Sequence, residues 1–213
     1  MTTTTIATGI IVVDPIRPDD ASMRAAAAVV AAGGLVAFPT ESFYGLGADA
    51  LDPAAIARVF DVKGRPSGKP LLVLVDSVDM VTTLAARVSD GTRALMTRHW
   101  PGSLTLVLEA SSRVPPALTG GTGTIGVRMP GHAVARALVR SAGRPITAPS
   151  ANPSDAAPAV TAAAVRGYFE GLVELILDGG ATAGGPGSTV ADCTVWPPRI
   201  LRQGPVVVEA ACA

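Results

Sequence analysis

Residues 71–75 read LLVLV, five apolar side chains in a row between Pro70 and Asp76. A strand with one wet face alternates apolar and polar residues, whereas a strand covered on both faces is apolar throughout. The run therefore predicts a central strand in a sheet layered by helices. Further strands are expected at 10–13, 35–38, 103–108, 124–129, 145–148, 174–178, 190–195 and 200–202. Helical patterns alternate with them. Asp19 or Asp20 caps a helix that runs to Ala32 and stops at Gly33-Gly34. Asp52 caps a second at 53–60, with Pro53 at its first position. Further helices are expected at 78–86, 89–99, 133–141 and 161–169. Strands alternating with helices, without a linker or repeat, predict one α/β domain over residues 1–213 built on a mixed sheet. The Thr-rich residues 1–9 are expected to form a flexible N-terminus.

Composition narrows the function. Formal net charge is zero, which argues against non-specific nucleic-acid binding, a property that rests on basic excess. Aromatic residues make up 4 %, so the core must come from Val, Leu, Ile and Ala, and few rings are free to stack on bases. Cys193 and Cys212 stand alone, with no metal-ligand spacing, as in a reduced cytoplasmic protein. The longest apolar run, 25–38, is broken by Gly33-Gly34 and is too short to span a bilayer, and no basic residue precedes Arg17, so neither membrane insertion nor secretion is expected.

Four polar turns follow or join strands, at 39–47, 61–70, 150–153 and 185–189, where α/β sheets place their ligands. The second holds Lys63 and Lys69, the only lysines in the chain, with Arg65 between them; every other basic residue is arginine. A compact ammonium and a planar fork in one loop suit a highly anionic ligand. Arg128 lies in an otherwise apolar strand and needs an anion or water. Two motifs fail on context. GRPSGK at 64–69 lacks the P-loop spacing and its Ser/Thr, and leads into a strand. GTGTIG at 121–126 matches a dinucleotide fingerprint but precedes a strand. His99 and His132 lack acidic or Cys partners at useful spacing, so metal and Ser-His-Asp chemistry have little support. The remaining inventory is Lys63, Arg65, Lys69, Arg128 and Arg202, with Ser42, Thr124, Ser150, Asn152 and Ser188. Those groups suit nucleotidyl or phosphoryl transfer, in which positioning and charge neutralisation carry the rate.

From Gly34 to Gly204 the chain resembles the YrdC-type (TsaC) threonylcarbamoyl-AMP synthases in their single-domain form. The strings are VAFPTESFYGLGADA, KGRPSGKPLLVLV, WPGSLTLVL, TIGVRMPGH, PITAPSAN, GSTVAD and ILRQGPV. The paired signatures are Lys63/Arg65 and Ser150/Asn152. The resemblance implies a YrdC-like twisted open mixed β-sheet flanked by helices, with a large concave basic cavity. It implies ATP-dependent formation of threonylcarbamoyl-adenylate from L-threonine and bicarbonate, with Mg²⁺ on the nucleotide and no protein-bound metal. The product would pass to a tRNA threonylcarbamoyl transferase complex, with weak RNA binding as a further expectation. Site residues carried over are Lys63 and Arg65 for catalysis, and Arg65, Lys69, Thr124, Ser150, Asn152, Pro158 and Arg202 for ATP. Those for threonine are Ser42, Arg128, Ala148 and Ser188. Ser42 stands where Thr is usual, and Leu74 where some members have His. The extra C-terminal domain of longer members is expected to be absent. Two rivals remain: an RNA- or ribosome-binding factor, and a carbamoyl-transferring relative on the same fold.

Overall fold

The computed structural model describes residues 6–208; Cys212 and residues 1–5 of the expected flexible N-terminus lie outside them. Four strands form one sheet in the order β1 (Gly9–Val12), β8 (Leu175–Asp178), β2 (Val36–Pro39), β3 (Tyr44–Gly47). Six form another: β10 (Arg199–Arg202), β9 (Thr189–Asp192), β5 (Leu104–Glu109), β6 (Thr124–Arg128), β4 (Leu72–Leu74), β7 (Ile146–Thr147). Both mix parallel and antiparallel pairs. The apolar run at 71–75 supplies β4, which pairs with β6 and β7 and is interior as expected.

A single sheet was the expectation, and two are found. The reason is local. Residues 44–50 and 145–151 lie antiparallel, with Leu46 N–H donating to Pro149 O, Thr147 N–H to Ala48 O and Ala50 N–H to Pro145 O. Pro145 and Pro149 have no N–H to return. Thr147 fills in with its side chain: Oγ1 accepts from Ala48 N–H at 3.0 Å and donates to Leu46 O at 3.0 Å. The seam thus combines backbone hydrogen bonds with one buried hydroxyl that satisfies the groups the prolines leave over, and the isolated bridges Gly45 with Ser150 and Asp49 with Ile146 mark it.

Seven helices are described: α1 (Asp20–Ala31), α2 (Pro53–Lys63), α3 (Val78–Leu84), α4 (Asp90–His99), α5 (Pro116–Thr119), α6 (Ala133–Ala142) and α7 (Ala162–Phe169). Asp19 caps α1 by accepting from Ser22 N–H, and Asp52 caps α2 by accepting from Ala54 N–H ahead of Pro53. α6 buries Val134, Ala135, Leu138 and Val139, one face of a 3.6-residue repeat, into a core shared with Met23 and Val30 of α1. A second core gathers Leu35, Ile56, Val59, Leu106 and Phe169. Two expectations change. Helix α2 runs three residues beyond Phe60 and takes Lys63 out of the loop. The stretch 113–123, expected as surface loop, contains α5, whose Leu118 is fully buried.

Candidate active site

A cavity of about 600 Å³ lies over one face of the six-stranded sheet, within the size range of ligand sites. Strand alternation builds its floor. Arg202, Val190 and Thr105 stand in register across β10, β9 and β5, and Arg128 is opposite Leu74 across β6 and β4. One step along the strands, Val107, Gly126 and Leu72 form a second row, with Thr124 beyond. The polar turns make the walls. Three arginines line the cavity and no Asp or Glu does, among the described residues.

Nine of the residues expected at the site come together in this lining. Ser42 enters from the first turn, and its carbonyl accepts from Gly184 N–H at 2.7 Å, tying the Gly-rich turn to it. Ala148 and Ser150 follow β7, and Pro158 lies beyond them. Arg65 curls back so that Nη2 donates to Pro70 O at 3.0 Å and Nε to Lys69 O. Thr124 Oγ1 is 2.9 Å from Thr122 Oγ1. Ser188 Oγ is 2.8 Å from Thr105 Oγ1, and Arg202 donates from Nη2 to that hydroxyl and from Nε to Ser188 O. Burial, and then the charge of Arg128, lowers the pKa of Arg202; burial lowers that of Arg65. An anion in the cavity would relieve both.

Three expected residues lie elsewhere. Lys69 is exposed and outside the lining. Lys63 is 2 % exposed, on the last turn of α2, because its spacing from Ala55, Ile56, Val59 and Phe60 puts it on the helix's buried face. Its Nζ donates to Ser150 O and Asn152 O, both at 2.5 Å. Burial, then Arg65, pushes its pKa down to about 8, against the pull of the two carbonyls. Asn152 is buried and donates from Nδ2 to Pro153 O and Ala156 O, which closes the turn after Ser150. The signature residues Lys63 and Asn152 therefore shape the loop that presents Ser150.

Glu41 is a site residue that motif reading missed. It pairs with Arg128 Nη2, while its Oε1 accepts from Gly131 N–H at 2.6 Å and Arg128 Nε donates to Gly102 O at 2.8 Å. Burial acts to raise the Glu41 carboxyl, but the Arg128 charge and the local N–H donors outweigh it and hold it below its ordinary value. The available signal was Arg128 itself: a cation in an apolar strand needs a partner, and Glu41 is the acid of the first polar turn. Thr105 and Thr122 were also missed, being ordinary strand and loop threonines until register places them. No group of three His, Cys, Asp or Glu side chains suited to a metal occurs among the described residues. No helix there is long and apolar enough to cross a membrane.

Fold and cavity together define a mixed α/β protein with an arginine-lined cavity over one face of its six-stranded sheet. The chain belongs to the Sua5, YciO and YrdC family, whose model, described as telomere recombination, matches residues 28–204. It is 46 % identical over 193 residues to the threonylcarbamoyl-AMP synthase of Pyrococcus abyssi, covering 91 % of this chain and 57 % of that protein. It is 44 % identical over 144 residues to the threonylcarbamoyl-AMP synthase of Thiobacillus denitrificans, covering 68 % of this chain and 77 % of that one. The crystal structure of P. abyssi Sua5 complexed with L-threonine superposes with a TM-score of 0.87 at 46 % identity, over 91 % of this chain and 56 % of that chain. The chain thus spans a little over half the length of the Pyrococcus relative.

Proposed function

We propose that the chain is a nucleotidyltransferase that makes L-threonylcarbamoyl-adenylate from L-threonine, bicarbonate and Mg·ATP, releasing pyrophosphate. The product would serve threonylcarbamoyladenosine modification of tRNA through a separate transferase complex in the cytoplasm. The relatives' names and the threonine complex of P. abyssi Sua5 support this reading. The observation that carries it is the lining, with three arginines, no carboxylate, and β6 presenting Arg128 at one end of its cavity face and Thr124 at the other.

In this reading the threonine amine and bicarbonate form a carbamate, and a carbamate oxygen attacks the α-phosphorus as pyrophosphate leaves. Carboxylate, carbamate and triphosphate repel one another, so fixed positive charge lowers the barrier. Arg128, held by Glu41 and Gly102, serves the threonine carboxylate, with Ser42, Ala148 and Ser188 beside it. Arg65 and Arg202 serve the phosphates, with Thr124, Ser150 and Pro158 around the nucleotide; Lys69 meets the triphosphate from the loop. Mg²⁺ arrives as part of the nucleotide substrate. Lys63 and Asn152 act through Ser150 as positioning residues.

Pyrophosphate release from ATP, Mg²⁺ and bicarbonate should require threonine and fall strongly with serine. Equal release without threonine or without bicarbonate would refute the assignment.

A further inference from the structure

Gly126 lies in the middle of β6, on the cavity floor, between the two ends just assigned. Strand alternation puts Thr124, Gly126 and Arg128 on the same face, with alternate residues ~6.6 Å apart. Gly126 is in register with Val107 on one side and Leu72 on the other, and both of these also line the cavity. Its missing side chain leaves a slot with apolar walls between the nucleotide end and the threonine end.

Neither backbone nor packing accounts for a glycine here. Gly126 is not among the glycines with positive φ, so an L side chain suits its conformation. A Cβ built on it meets nothing nearer than Thr105 Cγ2 at 3.4 Å, an ordinary contact on the cavity side. Gly47 differs, since a Cβ there falls 2.8 Å from Ile146 Cγ2 and from Phe38. Glycine inside a strand weakens it and often marks a place where a ligand comes close.

We propose that the slot over Gly126 is the subsite for the bicarbonate-derived carbon, the carbamate that joins threonine to the α-phosphate. This rests on the proposed reaction. The amine lone pair forms the C–N bond to the bicarbonate carbon, and the hydroxyl leaves with one amine proton as water. Threonine –NH₂ and HCO₃⁻ thereby give –NH–COO⁻ and H₂O. A carbamate oxygen, projecting from the slot toward Thr124, then attacks phosphorus. The apolar flanks exclude water from an intermediate that hydrolyses readily, and the absent side chain gives the planar carbamate room against the sheet.

Gly126→Ala and Gly126→Val test this. Calorimetry with L-threonine alone and with Mg·ATP alone should give affinities within about twofold of wild type. Pyrophosphate release with all three substrates should fall ~10-fold for the alanine variant, through a raised KM for bicarbonate, and at least ~100-fold for valine. The alanine variant should melt no lower than wild type, because its φ suits alanine and its unfolded chain is stiffer. Wild-type turnover in either variant would overturn the proposal, as would lost affinity for threonine or ATP alone, which would make the slot part of those footprints. A wild-type chain with no threonine-dependent pyrophosphate release would refute the reaction itself, which is a different result.

Discussion

At the scale of single residues, Lys63 carries the sharpest prediction. Its ammonium bridges two carbonyls behind Ser150 and is buried away from the cavity lining. Lys63→Met should slow pyrophosphate release by at least ~10-fold, expressed mainly in KM for ATP, because the chain lost is a support for Ser150 rather than a phosphate contact. A kcat-only defect would instead favour direct action on the transition state. Stability gives an independent readout. The folded pKa, about 8, lies below the ordinary 10.5. Between those values the unfolded state binds the proton and the folded state does not, so stability rises with pH across that window, and below about 8 the burial penalty applies in full. Wild type should therefore gain up to ~3 kcal/mol on Lys63→Met between pH 8 and 10.5 in urea titrations. A difference that does not change with pH would show that the two carbonyls hold Lys63 charged throughout.

At the scale of elements, α5 connects a buried anchor to the ligand loop. Leu118 sits in the core, and α5 ends at Gly120 with φ +58. A Cβ on Gly120 would lie 2.6 Å from Gly68 O and 2.9 Å from Pro70 N, both backbone atoms that cannot swing away. Leu71 N–H also donates to Leu118 O at 3.0 Å. The stretch 113–123 thus props the loop that carries Arg65. Gly120→Ala should cost ~1–3 kcal/mol in denaturant titration and raise KM for ATP by displacing that loop. An unchanged midpoint with an unchanged KM would show that the contact relaxes at no cost.

At the scale of the whole molecule, one hydroxyl completes the hydrogen bonding between the two sheets. Thr147 is fully buried and completes the seam that Pro145 and Pro149 interrupt. Thr147→Val keeps shape and removes both bonds, leaving Ala48 N–H and Leu46 O without that partner. A loss of ~2–4 kcal/mol is expected, since stranded buried polar groups are costly. A variant as stable as wild type would mean that the backbone hydrogen bonds and packing hold the seam without the hydroxyl.

The elements were legible in the sequence because their causes are local. Asp19, Asp52 and Pro53 mark helix starts, the apolar run at 71–75 yields an interior strand, and polar turns flanking strands supply Ser42, Ser150 and Ser188 to one cavity. Arg128 announced a need for an anion without saying where it would come from. The tertiary structure decided the rest. It turned Lys63 inward, set Glu41 on Arg128, assigned Thr147 to the seam and left Gly126 bare on the cavity floor between Thr124 and Arg128. Each depends on register between segments far apart in the chain, such as Thr147 and Leu46, 101 residues apart. Local propensity determines which residues form strands, helices and turns; only the packed sheet determines which of them face one another.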